Sequence, residues 1–187
     1  MSITTFGRQS LIYSIGHILI RLMSFLLLPI YTQIFTKQEY GIISLAYAFI
    51  GFTMILYYYG MDSALIKFAI QNDNKERKKY VSIIFIIQIF SATFFSIILF
   101  YLKDIIALSV LGIDRPDLIV YLSLILFLDS LCNLPLLMFR SEQKTILYIM
   151  INILNVIIII CCNYLLVIKM KYGIEGVFIS NIIASST

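Results

Sequence analysis

The chain has 187 residues, of which 61% are hydrophobic and only 13% are charged, and its mean hydropathy is +0.98. A soluble globular domain needs far more surface charge, so this composition excludes one and indicates an integral membrane protein. The net charge of +4 does not indicate nucleic-acid binding, because the basic residues stand at the ends of apolar segments and form no long basic stripe.

The first apolar segment, about 11–34, is followed by the polar hinge TKQEYG. At about 1.5 Å rise per residue it is long enough to cross a hydrocarbon core of about 30 Å as a helix. Its one full charge is Arg21, which we expect to face a bundle interior or a wet cavity, because a charge near the bilayer centre costs at least about 2.5 kcal/mol. Residues at helical steps of three and four form a polar column with it: Ser10, Ser14, His17, Arg21 and Ser24.

The second segment, about 40–68, has one helical face that is more polar than the others. Its members are Ser44, Tyr47, Gly51, Met54, Tyr58 and Asp62. We predict that Tyr47, Tyr58 and Asp62 line a cavity, although Asp62 stands close enough to the interface to reach water without any function. The charged stretch Gln71 to Lys79 that follows is typical of a solvated loop.

Three further segments are predicted at about 80–101, 118–138 and 146–168, and a sixth begins at 177 and looks cut short. Asp129 and Asn133 are one turn apart in the fourth segment, and Asn152 and Asn155 share a face of the fifth. We predict that these four side chains also line the cavity. Asp129 has a structural alternative, which is a salt bridge with Arg21.

Lys and Arg residues are distributed unequally between alternate loops. The side of the N-terminus has eight, and the other side has five, Lys37, Lys103, Arg115, Lys169 and Lys171. Since the basic bias of short loops sets orientation, we expect the N-terminus to be cytoplasmic and the turn GIDRPD to be external.

Motifs for catalysis and cofactor binding are missing from the sequence. It contains no P-loop, no dinucleotide-binding glycine pattern and no nucleophile elbow. The one histidine and three cysteines lack metal-ligand spacing, so we expect no metal and no cofactor. An enzyme is therefore disfavoured.

Several stretches occur in the order that one known family shows. They are LLLPIYTQIF, EYGIISLAYAF, YYYGMDSALIKF, NDNKERKK, MFRSEQKTILYIMINILN and KYGIEGVFISN. On these, the chain resembles the oligosaccharide flippases of bacterial polysaccharide biosynthesis, in the multidrug/oligosaccharidyl-lipid/polysaccharide exporter superfamily. The resemblance implies an all-α polytopic bundle of about five to six transmembrane helices, with residues 1–187 as the N-terminal lobe of a two-lobed transporter.

The resemblance also implies a cargo and a place in the cell. The cargo would be an isoprenoid-pyrophosphate-linked oligosaccharide, moved across the bacterial cytoplasmic membrane, with Arg21 meeting the pyrophosphate. The expected partners are the bilayer, this lipid-linked sugar, and a C-terminal half, a second copy or polysaccharide-assembly proteins, and no nucleic acid. Two alternatives stay open: an ion-coupled multidrug exporter that uses Asp62 or Asp129, and a membrane-embedded module without transport activity.

Overall fold

The structure is a computed structural model that describes residues 27–71, 74–142 and 144–186. Within these ranges every regular element is helical and there is no strand, which confirms the all-α prediction. The helices are α1 (Leu27–Ile34), α2 (Lys37–Tyr58), α3 (Met61–Gln71), α4 (Asn74–Tyr101), α5 (Lys103–Ile106), α6 (Pro116–Ser141), α7 (Thr145–Asn163) and α8 (Gly173–Ser185). A π-helical turn, Ala107–Leu111, follows α5, and another, Tyr164–Lys169, prolongs α7.

Four stretches of the described chain are long and apolar enough to cross a membrane. They are Lys37–Tyr58, Glu76–Tyr101, Pro116–Phe139 and Thr145–Lys169, and α8 is a shorter apolar helix. Large apolar side chains cover their outer surface, for example Phe52 at 73% and Phe90 at 78% exposed. Such a surface suits lipid, so the chain is a multi-pass membrane protein. Of the predicted first helix, only the end, α1, lies within the described residues.

The predicted helix 40–68 is wrong in one respect, because it consists of two helices. The chain breaks at Tyr59 and Gly60, whose φ angles of 45° and 76° are left-handed. Carbonyl groups near a helix end run out of intrahelical partners. Here the Tyr57 carbonyl accepts a hydrogen bond of 2.9 Å from Nε2 of Gln88, which is buried in α4. The neighbouring helix thus satisfies the carbonyl beside the break.

The charged stretch Gln71 to Lys79, predicted as a loop, is mostly helical. Helix α4 begins at Asn74, and Glu76 lies in its first turn. Glu, Lys and Arg are good helix formers, and a carboxylate is favourable near the positive end of the helix dipole. The helix therefore extends beyond its apolar part into charged sequence.

Helix α6 is the centre of the bundle, and it packs against α2, α3, α4, α7 and α8. Its first half buries Leu118 and Leu122 in the largest apolar cluster. Its second half buries Leu134 against Leu65 of α3 and Ile84 of α4. Side chains of α6 that do not enter these clusters are therefore held in fixed places between the other helices.

Ion pairs mark the two ends of the bundle. At one end, Glu142 lies 2.8 Å from Lys144 and 2.5 Å from Arg77 at the start of α4, and both cations hold its pKa below the ordinary value. At the other end, Arg115 pairs with Asp117 at 2.6 Å and with Glu175 of α8 at 2.5 Å, which raises its pKa. Exposed pairs of this kind stabilise by at most about 1 kcal/mol each. They place the starts of α4 and α7 at one end and the starts of α6 and α8 at the other.

We expect Gly60→Ala to lower the thermal stability of the detergent-solubilised protein. An added Cβ would contact nothing within 4 Å, so the loss arises from the left-handed backbone alone and amounts to about 1–2 kcal/mol. Gly51→Ala is the matched control, because Gly51 is helical and also has no atom within 4 Å of an added Cβ. It should leave the stability unchanged or raise it by up to about 1 kcal/mol. Equal melting temperatures for the two variants would contradict the break at Gly60.

Cysteine labelling tests the predicted orientation. In a background without the three native cysteines, Lys78→Cys and Asp114→Cys each place a thiol at an exposed position, one at either end of the bundle. An impermeant thiol reagent added to intact cells should label Asp114→Cys and spare Lys78→Cys until the cells are opened. The reverse pattern would show that the orientation is inverted.

Candidate functional site

A cavity of about 470 Å³ lies between α2, α6, α7 and α8. Five residues that the sequence singled out line it: Tyr58, Asp129, Asn133, Asn152 and Asn155. The rest of the described lining is largely apolar and comprises Met54, Cys132, Pro135, Leu136, Phe139, Ile151, Leu154, Ile158, Ala184 and Ser185. The cavity therefore combines a few polar groups with an apolar wall, which is the usual composition of a small-molecule site.

Helical spacing brings the polar groups together from three elements. Asp129 and Asn133 are four residues apart on α6, and Asn152 and Asn155 are three apart on α7, so each pair faces one way. Tyr58 is the last residue of α2, directly before the break. The break ends α2 at the cavity and lets the chain continue as a separate helix.

Asp129 is half-buried on the central helix α6. It is thirteen residues from Pro116 and twelve from Ser141, about 20 and 18 Å along the helix, so it stands near the middle of α6. The side chain of Ser185 lines the cavity near it. None of the ion pairs found in the described chain involves Asp129. An acidic group at this depth usually marks a functional site in a membrane protein.

The side-chain amide nitrogens of the two α7 asparagines donate hydrogen bonds to backbone carbonyl groups of the protein. Nδ2 of Asn155 donates to the Ala184 carbonyl of α8 at 2.8 Å, and Nδ2 of Asn152 donates to the Tyr148 carbonyl of its own helix at 2.8 Å. The thiol of Cys132 donates to the Ser185 carbonyl at 3.2 Å. Asn155 and Cys132 therefore hold α8 against α7 and α6 at the cavity.

Two of the predicted site residues lie outside this lining. The hydroxyl of Tyr47 accepts a hydrogen bond of 2.7 Å from Asn181, and its ring packs 6.4 Å from the Phe178 ring, so Tyr47 links α2 to α8. Asp62 is in the first turn of α3, beyond the break, and is half-buried. Their contact with a cargo stays a prediction. Ser14, His17, Arg21 and Ser24 lie outside the described residues, and their predicted roles also stay predictions.

Several polar groups that link the helices were not evident from the sequence pattern. Asn163, which is 2% exposed, accepts a hydrogen bond of 2.8 Å from the hydroxyl of Tyr31 and so ties α1 to α7. Asn181 and Ser185 stand four residues apart on α8, one beside Tyr47 and the other beside Asp129. That spacing in the last apolar run was the signal that could have revealed them.

The polar side chains of the lining are suited to hydrogen bonding. Its polar side chains are one carboxylate, three carboxamides, a phenol, a thiol and a serine hydroxyl. Among the described residues there is no group of three or more His, Cys, Asp and Glu side chains that could hold a metal ion. Groups of this kind suit reversible hydrogen bonding to a polar ligand within an apolar surrounding.

Asn155 and Asn152 should differ in their effect on stability. Asn155→Leu removes an interhelical hydrogen bond and leaves the Ala184 carbonyl without it, so we expect a loss of about 0.5–1.5 kcal/mol. Asn152→Leu removes a bond within α7 only, and the stability should change little. Unfolding in detergent measures both variants, and a larger loss for Asn152→Leu would contradict the arrangement at α8.

Comparison with known proteins places the chain in a family. A family model described as polysaccharide biosynthesis protein matches residues 6–187, which include every element of the cavity. Searches of curated proteins and of solved structures found no match. The family match confirms the resemblance that the order of the sequence motifs predicted, and it agrees with the four apolar spanning helices. The chain therefore belongs to the polysaccharide biosynthesis protein family.

Proposed function

We propose that this chain acts in flipping an isoprenoid-pyrophosphate-linked oligosaccharide from the cytoplasmic to the outer leaflet of the bacterial cytoplasmic membrane. The observation that carries the proposal is the cavity between α2, α6, α7 and α8, which is lined by Asp129 near the middle of α6 and by three asparagines of the spanning helices. The family match supports a role in polysaccharide transport across a membrane. The process is transport and requires no chemical step.

Sugar hydroxyl groups need hydrogen-bonding partners throughout their passage. A polar group moved from water into an apolar medium without a partner costs roughly 2–7 kcal/mol. Asn133 and Tyr58 offer groups that no other described residue engages, and Asn152 and Asn155 offer their carbonyl oxygens. The volume of about 470 Å³ lies within the range of about 300–1,000 Å³ that is usual for small-molecule sites.

The pyrophosphate of the cargo needs a cation. The described lining contains no Lys or Arg, so the cation has to come from elsewhere in the protein. Arg21 is our candidate, since a guanidinium matches phosphate oxygens with paired donors, and the spacing of the first segment puts it in a polar column. In this proposal, Arg21 binds the pyrophosphate, and the cavity between α2, α6, α7 and α8 binds the sugar.

The proposed transport path lies between two halves of the transporter. Transporters of this kind are built from two repeats, and the cargo site lies where they meet. We propose that the described helices form the N-terminal lobe. A C-terminal half, a second copy of the chain or a polysaccharide-assembly protein supplies the opposite wall.

One observation favours a second candidate function, an ion-coupled exporter of cationic compounds. Asp129 lines the cavity and has no ion-pair partner among the described residues, so it is suited to a cation. Asp62, the other acidic candidate, does not line it. A cargo whose only charge is positive would leave Arg21 of the first segment with nothing to bind, and for this reason we prefer the flippase.

The variant Arg21→Ala distinguishes cargo binding by Arg21 from a salt bridge with Asp129. It is expressed in a bacterial strain from which the chromosomal copy of this gene has been deleted. If Arg21 binds cargo, the variant should reach near-normal membrane levels but abolish surface polysaccharide, because the cavity is wet and the charge has no obligatory protein partner. Arg21→Lys should retain part of the surface polysaccharide, because the lysine ammonium keeps the positive charge but lacks the paired donors of a guanidinium. Immunoblots of membranes and staining of surface polysaccharide are the two measurements.

The salt-bridge alternative predicts a different result. If Arg21 only pairs with Asp129, its removal leaves a buried carboxylate unpaired at a cost of roughly 3–5 kcal/mol, and the protein should be lost from the membrane. Adding Asp129→Ala should then restore its level. Full polysaccharide in Arg21→Ala would remove Arg21 from the site, and export of a cationic dye that depends on Asp129 would favour the exporter.

A further inference from the structure

The cavity wall presents mainly hydrogen-bond acceptors. A backbone carbonyl cannot donate, so the nitrogen of each α7 asparagine must face the carbonyl that it bonds. Asn155 faces the Ala184 carbonyl and Asn152 faces the Tyr148 carbonyl, both at 2.8 Å. The amide group is planar, so both carbonyl oxygens, Oδ1, are turned away from these bonds and remain available as acceptors.

The remaining polar groups of the lining add negative charge but no cation. Asp129 contributes two carboxylate oxygens, and Ser185 lies near its side chain. Asn133 and Tyr58 can each donate or accept. Among the described lining residues there is no Lys, Arg, His or Trp, so no side chain there is restricted to donating. A ligand group that fits this wall donates several hydrogen bonds and is stabilised by a nearby carboxylate.

We propose that the cavity recognises an ammonium group of an amino sugar in the carried oligosaccharide. An ammonium has three donors and no acceptor, which complements Asp129 and the Oδ1 atoms of Asn152 and Asn155. The same wall repels a uronic acid, because its carboxylate would carry the same charge as the nearby Asp129. This inference rests on the proposed function, since it names the sugar class that the flippase site selects.

A small metal cation offers the same charge without the sugar. The lining does not favour it strongly, because Asp129 is the one carboxylate there, and hard cations such as Ca²⁺ take six or more oxygen ligands. The volume of about 470 Å³ also exceeds what a coordinated ion needs and leaves room for a sugar ring. Measurements in choline chloride and in sodium chloride distinguish the sugar ammonium group from a metal ion.

The inference is tested by thermal unfolding of the full chain in detergent at neutral pH. The probes are the methyl glycosides of glucosamine, glucose and glucuronic acid, titrated in choline chloride and again in sodium chloride. A ligand that binds the folded state raises the melting temperature with its concentration, which gives an apparent affinity. We expect the glucosaminide to bind at least about tenfold more tightly than the glucoside, since hydrogen bonds to charged groups are the stronger ones, and the glucuronide to bind least.

Two Asp→Asn variants test whether the preference for the glucosaminide arises at Asp129. Asp129→Asn keeps the side-chain volume and removes the charge. The affinity for the glucosaminide should therefore fall about tenfold and become equal to the affinity for the glucoside. Asp114→Asn makes the same change at an exposed position at one end of the bundle, outside the lining, and should keep the preference. If Asp129→Asn does not fold, Asn152→Asp provides the opposite change, and it should increase the preference for the glucosaminide.

Three results would overturn the inference. They are equal binding of the glucosaminide and the glucoside, binding of neither, and stabilisation by sodium chloride alone, which would indicate a metal-ion site. The measurement requires no transport. Loss of flipping in cells with an intact glucosaminide preference would therefore contradict the proposed function alone, whereas normal flipping without the preference would contradict this inference alone.

Discussion

A polar group within the hydrocarbon layer has no water to bond, and this constraint governs the whole structure. The described helices meet it with side chains that reach a neighbouring helix, as Gln88 does to the Tyr57 carbonyl and Asn181 does to Tyr47. Because lipid tails are as apolar as leucine, helix association depends on packing and on such hydrogen bonds. The polar residues of the apolar segments therefore hold the bundle together as well as lining its cavity.

Several polar groups of the cavity have no protein partner among the described residues. Asn133 and the hydroxyl of Tyr58 make no hydrogen bond there, and Oδ1 of Asn152 and Asn155 are not engaged. Such groups persist in a membrane only where water or a ligand reaches them. We infer from these groups that water or a ligand reaches the cavity.

Helical spacing predicted most of the site and part of the fold. It found Asp129 with Asn133 and Asn152 with Asn155, because each pair lies within one unbroken helix and its period is reliable there. It joined Tyr58 to Asp62 on one face, yet the left-handed residues between them put Asp62 on another helix. The spacing of the polar face continues across the break, so the periodicity gave no sign of it, although Gly60 stands there.

The contacts of α6 constrain how such a lobe can move during transport. The helix buries its two halves in different apolar clusters, and its ends are paired to α4 through Arg77 and Glu142 and to α8 through Arg115 and Glu175. Sliding α6 against its neighbours would expose these clusters and displace Asp129 from Ser185 at the same time. Movement of the described helices as one body preserves both. In the proposed two-lobed transporter, access to the cavity would therefore change where this lobe meets the other, while the groups that bind the sugar keep their positions.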